Sequence, residues 1–439
     1  MRKSGIFLLL LALFLMSCQN VPNEDNEFNT EATTVITEAV IETTVATEAY
    51  SYEDDRFVLT IEQAITDFQF MWEFIDENLP SFNLLERVSG LNVDEIRADG
   101  LAFLENYSDF ISIRDFYDFL IQHLEVYTPI FHLGVGDGGL ASLFIFHSEH
   151  AQHLFGEVVF DLDWTLAVYH YLFPWQIMEP SEMKLQETIS RPSFRVIDDY
   201  TALINIPNFS MFPHEFDEFH QLYLSFYEEA TALGIENIIF DISRNTGGST
   251  WYWEQHIVRP NIEEELFYEL LVFARDSQII LDYFDRWADG RFEMQPINDR
   301  QFELEHPEDL DELGLYSLLT YSVQPSHDGT PAFEGNFYIL IGRPSFSASD
   351  AFANFAYQTG FATLIGRPTG GAGVGFEPFM FSLPESGILV RFDSVYGVNP
   401  DGSPNQEIGT LPHYFSEGRE HTLTTALRVI AERRLQEQE

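Results

Sequence analysis

Tyr338-Ile-Leu-Ile-Gly342-Arg-Pro344-Ser-Phe-Ser347-Ala-Ser-Asp350-Ala-Phe-Ala-Asn-Phe-Ala356 reads as an apolar strand that breaks at Gly342 and Pro344 and restarts as an alanine-rich helix. A strand–turn–helix junction of this kind holds a hydroxyl at the mouth of a helix, where backbone N–H groups point at whatever binds beside it. An oxyanion formed when such a serine attacks a carbonyl meets dipoles that are already oriented. The same junction also suits an ordinary serine N-cap, with Asp350 in the first turn favouring the positive helix end. The segment alone leaves both readings open.

Its neighbours narrow the choice. Upstream stands Ile238-Ile-Phe-Asp241-Ile-Ser-Arg244-Asn245-Thr-Gly247-Gly248-Ser249, a second buried strand that ends in a polar, glycine-bearing turn. Downstream comes Ala362-Thr-Leu-Ile-Gly366-Arg-Pro368-Thr369-Gly370-Gly371. Three strands that each feed a glycine-rich turn place those turns along one rim of a sheet, which is an α/β architecture. With these blocks the chain resembles the C-terminal processing and tricorn-type serine peptidases, whose core is crotonase-like. The family pattern D-x-R-x-N-x-G-G, then S-A-S-E/D, then G-x-P-T-x-G occurs here in order, over about residues 195–435. Ser243 fills the family's arginine slot, and Arg244 follows one place later.

The family holds two catalytic designs. The Ser/Lys branch takes its base from a position about 25 residues beyond the nucleophile, and here that position is Ala372. The only two lysines, Lys3 and Lys184, lie outside these blocks, so the resemblance points to the tricorn-like Ser/His branch. It implies Ser347 as nucleophile and a histidine from earlier in the chain as base. A neutral imidazole has the basicity that role needs. His132 stands where a helix ends, Pro129 stops it and an extended segment begins, which is where the family places its histidine. The flanks depart from the family's D-G-H-S/T: Ile130 and Phe131 replace the acidic and glycine residues, and Leu133 replaces the hydroxyl. A structural, partly buried His132 is the competing reading.

For the acid, the run Gly397-Val-Asn-Pro400-Asp401 to His413 resembles the family's E-G-x-G-V-x-P-D. Aligned on Gly409 and Pro412, the glutamate slot falls on Gln406, with Glu407 one place later as the expected partner of the imidazole. A solvated surface charge is the alternative for Glu407. The backbone N–H of Ala348 and the Gly247-Gly248 turn are the oxyanion donors that the resemblance implies, and a plain tight turn is compatible with that role. His147, His150 and His153 share a spacing of three, but no distant fourth ligand is evident, and they read as a solvated face. The resemblance implies neither a metal nor an organic cofactor.

The N-terminus carries Arg2 and Lys3, an apolar run from Ile6 to Met16, and then Ser17-Cys18. It reads as a secretory leader, too short for a comfortable membrane span. The residues before Cys18 resemble the lipobox of bacterial lipoproteins, so Cys18, the only cysteine, is expected to be acylated. A simple leader with an incidental cysteine is the alternative. Four segments are expected: leader and lipobox 1–18, an acidic Thr/Glu-rich tether 19–55, a small helical domain 56–130, and the α/β peptidase core with insertions 131–439. Within the core, the acidic run Glu303 to Glu312 reads as exposed, and Leu423 to Leu435 reads as a closing helix. No carboxylate-binding loop of PDZ type is found, and Trp164, Tyr169, Tyr171, Phe173 and Trp175 read foremost as packing, with an aromatic groove for extended peptide as the alternative.

The formal charge of −49 excludes nucleic acid as a partner, because phosphate binding needs a basic surface. It also favours an imidazolium, so activity is expected at neutral to alkaline pH. The expected function is extracytoplasmic peptide-bond hydrolysis at the membrane face, with polypeptide as substrate. The alternative is a catalytically decayed protein on the same fold that holds peptide or another ligand. Oligomeric state is not legible.

Overall fold

The computed structural model describes residues 55–139, 153–155, 157–174, 191–211, 215–288, 293–298, 300–326 and 330–437. The leader, Cys18, nearly all of the tether, and His147, His150 and Trp175 lie outside them.

The described chain opens with β1 (Val58–Thr60) and four helices: α1 (Ile61–Asn78), α2 (Phe82–Ser89), α3 (Val93–Glu105) and, after β2 (Phe110–Ser112), α4 (Ile113–Leu124). Thr60 starts α1 with a reciprocal capping box to Gln63, and Ser81 caps α2. The apolar stripe of α1 is its buried face: Phe68, Met71, Phe74 and Ile75 all lie in the core. The short antiparallel pair β1–β2 was not anticipated: three-residue strands carry no periodicity of their own. Beyond α4 the chain enters β3 (Gly134–Val135). Tyr169 is buried and its hydroxyl donates to Gly136 O, so it packs the interior, while the exposed Tyr171 stacks on Phe57 at the surface.

The central layer is a six-stranded sheet. Its members are β4 (Ser193–Asp198), β5 (Thr201–Asn205), β6 (Asn237–Asp241), β10 (Asn336–Ile341), β11 (Thr363–Gly366) and β15 (Tyr414–Phe415). The order is β15-β11-β10-β6-β5-β4, parallel throughout except where β4 turns back on β5. Helices α5 (Phe216–Ala232) and α6 (Ala348–Thr359) cover one face, and α7 (Thr422–Glu437) covers the other. Burial on both faces explains why β10 is apolar at nearly every position: Ile339 and Ile341 face α6, while Tyr338 and Leu340 face α7.

Two smaller sheets flank this layer. One joins β12 (Phe379–Ser382), β13 (Leu389–Phe392) and β3. The other joins β14 (Tyr396–Val398), β7 (Leu266–Ala274), β9 (Leu315–Val323) and β8 (Gln295–Pro296). Residues 266–323, within the insertions expected of the core, therefore supply most of this second sheet. Their acidic run is not simply exposed either: Asp309 is fully buried, because Arg87 of α2 grips it.

Candidate active site

Ser347 follows β10 at the head of α6. The turn before it is pinned by Ser345, whose hydroxyl donates to Ile242 O at 2.7 Å, and by Phe346 N–H, which donates to Asn245 O at 3.3 Å. Ser347 has φ 55° and ψ −123°, a conformation that a residue with a Cβ adopts at a cost of roughly 1–3 kcal/mol. Its side chain makes no capping bond, so an N-cap does not account for it. Its own N–H donates to Gly371 O at 2.9 Å, which fixes the serine against the third glycine-rich turn.

The turn after β6 lies alongside. Gly247 and Gly248 have φ of 113° and 135°. A Cβ on Gly247 would stand 3.0 Å from Ser347 Cβ and 3.4 Å from Ala348 N, and one on Gly248 would run into the Phe209 backbone. Only glycine fits this approach. Asn245 braces the turn, accepting from Gly247 N–H at 2.9 Å and donating to Ile206 O at 3.2 Å. Gly247 N–H is thereby committed. Among the described residues no bond from the N–H of Gly248 or Ala348 is found, so these two remain for an oxyanion.

His132 reaches this rim from the helical segment. Phe131 and His132 both have left-handed backbones, φ 57° and 49°. Phe131 thus fills the family's glycine position in the backbone region that glycine favours. The distortion is held by Asp393 N–H, which donates to Phe131 O at 2.5 Å, and by the pairing of β3 with β13. His132 is 3% exposed, and its ring centroid lies 4.6 Å from that of Phe346, the residue before Ser347. Its Nδ1 is 2.8 Å from Asp393 Oδ1, and both side chains are buried.

The carboxylate at the imidazole is therefore Asp393, which the sequence reading missed. Glu407, its choice, is held elsewhere: Arg87 Nε donates to Glu407 Oε2 at 2.8 Å, and Arg343 reaches the Glu407 carbonyl. Gln406 spends its amide on the backbone of Gly397 and Val395. A signal was present. Anchoring the family's E-G-x-G-V-x-P-D on Gly397-Val398-Asn399-Pro400-Asp401 puts the acid slot at Ser394, one residue from Asp393.

Residues 200–415 match peptidase family S41. The chain belongs to peptidase family S41. Membership implies a serine-type peptidase hydrolase and a polypeptide substrate. No match is found among curated proteins. Among solved structures, the S41 chain is similar to mature CPAF (14% identity, 81% of this chain and 92% of that one, TM-score 0.50). A putative peptidase from Parabacteroides merdae aligns at 15% identity over 84% and 96% of the two chains, TM-score 0.47. The photosystem II D1 C-terminal processing protease aligns at 14% over 84% and 97%, TM-score 0.39. At such identities the likeness concerns the fold.

Behind the rim of this S41 site lies a second buried acid. Asp350, in the first turn of α6, is fully buried. It accepts from the Thr369 hydroxyl, from Thr410 N–H at 3.0 Å, from Gly373 N–H at 2.9 Å and from the Asn405 amide at 2.7 Å. One carboxylate so joins helix α6, the glycine loop that receives Ser347 N–H, and the turn that carries Glu407. Four donors offset its desolvation. Among the described residues no three His, Cys, Asp or Glu side chains are grouped to hold a metal.

Proposed function

We propose that this S41 chain is an endopeptidase acting outside the cytoplasm from a lipid anchor at Cys18, with Ser347, His132 and Asp393 as its catalytic set. The observation that carries the reading is the 2.8 Å His132–Asp393 pair placed beside the turn that strains Ser347. Asp393 accepts Nδ1–H, which selects the tautomer with its lone pair on Nε2. Nε2 takes the Ser347 proton as Oγ attacks the scissile carbonyl. The tetrahedral oxyanion is met by Ala348 N–H and Gly248 N–H. The imidazolium, stabilised by Asp393, then protonates the leaving amine, and water repeats the cycle on the acyl-enzyme. The anchor is supported by the apolar leader ending at Cys18, and no described helix is long and apolar enough to cross a membrane.

One labelling experiment tests both parts. Cells expressing the chain are treated with a fluorophosphonate probe and fractionated. The expected label sits on the full chain in the membrane fraction, disappears in Ser347→Ala, and moves to the soluble fraction in Cys18→Ser. A folded wild-type chain that takes no label would leave the decayed, ligand-holding reading instead. Label on wild type and Cys18→Ser in the same fraction would remove the anchor.

A further inference from the structure

We propose that Arg87, far from the reacting atoms in sequence, is a positioning residue whose ion pairs bring the histidine and serine halves of the site into register. The inference rests on the catalytic set proposed above.

The histidine arrives from the helical segment and the serine from the parallel sheet, so their alignment depends on how the two are docked. Helix α2 is one of the elements at their junction. It packs against the Glu125–Tyr127 turn that leads into His132. The strip Pro307–Glu312 grips it at both ends. At the start of α2, the Glu312 carboxylate accepts from Ser81 Oγ at 2.5 Å and from Phe82 and Asn83 N–H at 3.1 Å each. At its last turn, Arg87 forks onto Asp309, Nη1 to Oδ1 at 3.1 Å and Nη2 to Oδ2 at 2.8 Å, while Nε holds Glu407.

Each partner of Arg87 leads to one catalytic segment. Asp309 also accepts from the Tyr396 hydroxyl at 2.9 Å, and Tyr396 lies three residues beyond Asp393. Glu407 lies two residues beyond Asn405. The Asn405 amide donates to Asp350, and its oxygen accepts from Gly373 and Val374 N–H. That loop supplies Gly371 O, the acceptor for Ser347 N–H. One guanidinium fork therefore touches the routes to His132, Asp393 and Ser347 together. A lysine at this place offers a point charge and not a planar fork.

Displacements of about 1 Å in such a site cost about a hundredfold in rate, so loosening this junction acts on the chemical step. The test measures acylation by the fluorophosphonate probe, kcat and KM on a peptide substrate, and the urea midpoint. Arg87→Gln is expected to lower kcat and acylation rate about ten- to hundredfold with KM little changed, and Arg87→Lys to recover part of the loss. Arg97→Gln, which breaks a tie to Asp76 inside the helical segment, serves as the stability control and is expected to keep the wild-type acylation rate. Should Arg87→Gln fail to fold, Glu407→Gln, which leaves the Asp309 fork in place, carries the test with an expected loss of about threefold or more. Wild-type acylation rates in the folded variants overturn the inference alone. A wild-type chain that takes no probe overturns the peptidase reading and this inference with it.

Discussion

On the proposed reading, Asp393 gives the His132 ring one orientation and one tautomer. An amide in its place keeps the shape and can present N–H to Nδ1, which selects the wrong tautomer. Asp393→Asn is therefore expected to lower kcat by about 10³–10⁴ with substrate binding nearly intact, measured as kcat and KM separately. Glu407→Gln should fall well short of that loss, and equal losses would return Glu407 to the candidate set. The difference shows what was legible residue by residue. Ser347 and His132 stand at backbone junctions that a sequence displays: a strand broken by Gly342 and Pro344, and a helix stopped by Pro129. Asp393 stands at the end of a four-residue strand with no turn signal of its own, and a slip of one residue hid it. Which carboxylate meets the ring is settled by β3–β13 pairing across 261 residues, which no local pattern encodes.

The sheet strands were legible as short apolar runs broken by glycine- and proline-bearing turns, because both of their faces are buried. Asn237–Asp241 and Asn336–Ile341 fall where the two strand readings put them, and Ala348–Thr359 and Thr422–Glu437 match the two expected helices. The acidic run before Leu313 is exposed at Glu303, Glu305, Glu308 and Asp311 as expected, but not at Asp309: charge alone does not tell a solvated carboxylate from one whose cation comes from a distant helix. The glycine loop holds a feature of a different kind. Ala372, at the Ser/Lys branch's lysine position, has φ 62°. A left-handed backbone costs a residue with a Cβ about 1 kcal/mol relative to glycine. Ala372→Gly is expected to raise the stability by up to about that much despite glycine's greater freedom when unfolded, read as a higher urea midpoint. A lower midpoint would show that the Ala372 methyl packs more than it strains.

At the scale of the molecule, acidity is joined by buried neutral imidazoles. Burial lowers His123 from its ordinary 6.5 to about 4 and His256 to about 3. His123 accepts from the Trp72 indole at 3.3 Å, and His256 Nδ1 lies 3.4 Å from His220 Nδ1. In the unfolded chain these rings take protons near 6.5, while in the folded chain they resist to 4 or below. Each therefore contributes stability that is present above pH 6.5 and is lost as pH falls toward the folded value. For His123 the loss between pH 7.5 and pH 5 is about 2 kcal/mol. His123→Phe keeps a ring between Phe68 and Phe119 and removes the titration. Its stability relative to wild type should shift in its favour by about that amount over this range, followed by urea unfolding at both pH values. A difference independent of pH would mean that His123 is already accessible to protons in the native state.

The order in which the site's parts occur along the chain has a consequence for biosynthesis. His132 emerges early from the ribosome, Ser347 some two hundred residues later, and Asp393 later still, while β15, the strand that completes the sheet edge, ends only at Phe415. On the proposed reading, a growing polypeptide carries its alcohol and its ring well before it can orient either. On that reading, the cutting arrangement comes into being only after Asp393 and β15 have been synthesised, when the segments ahead of them have already had time to fold.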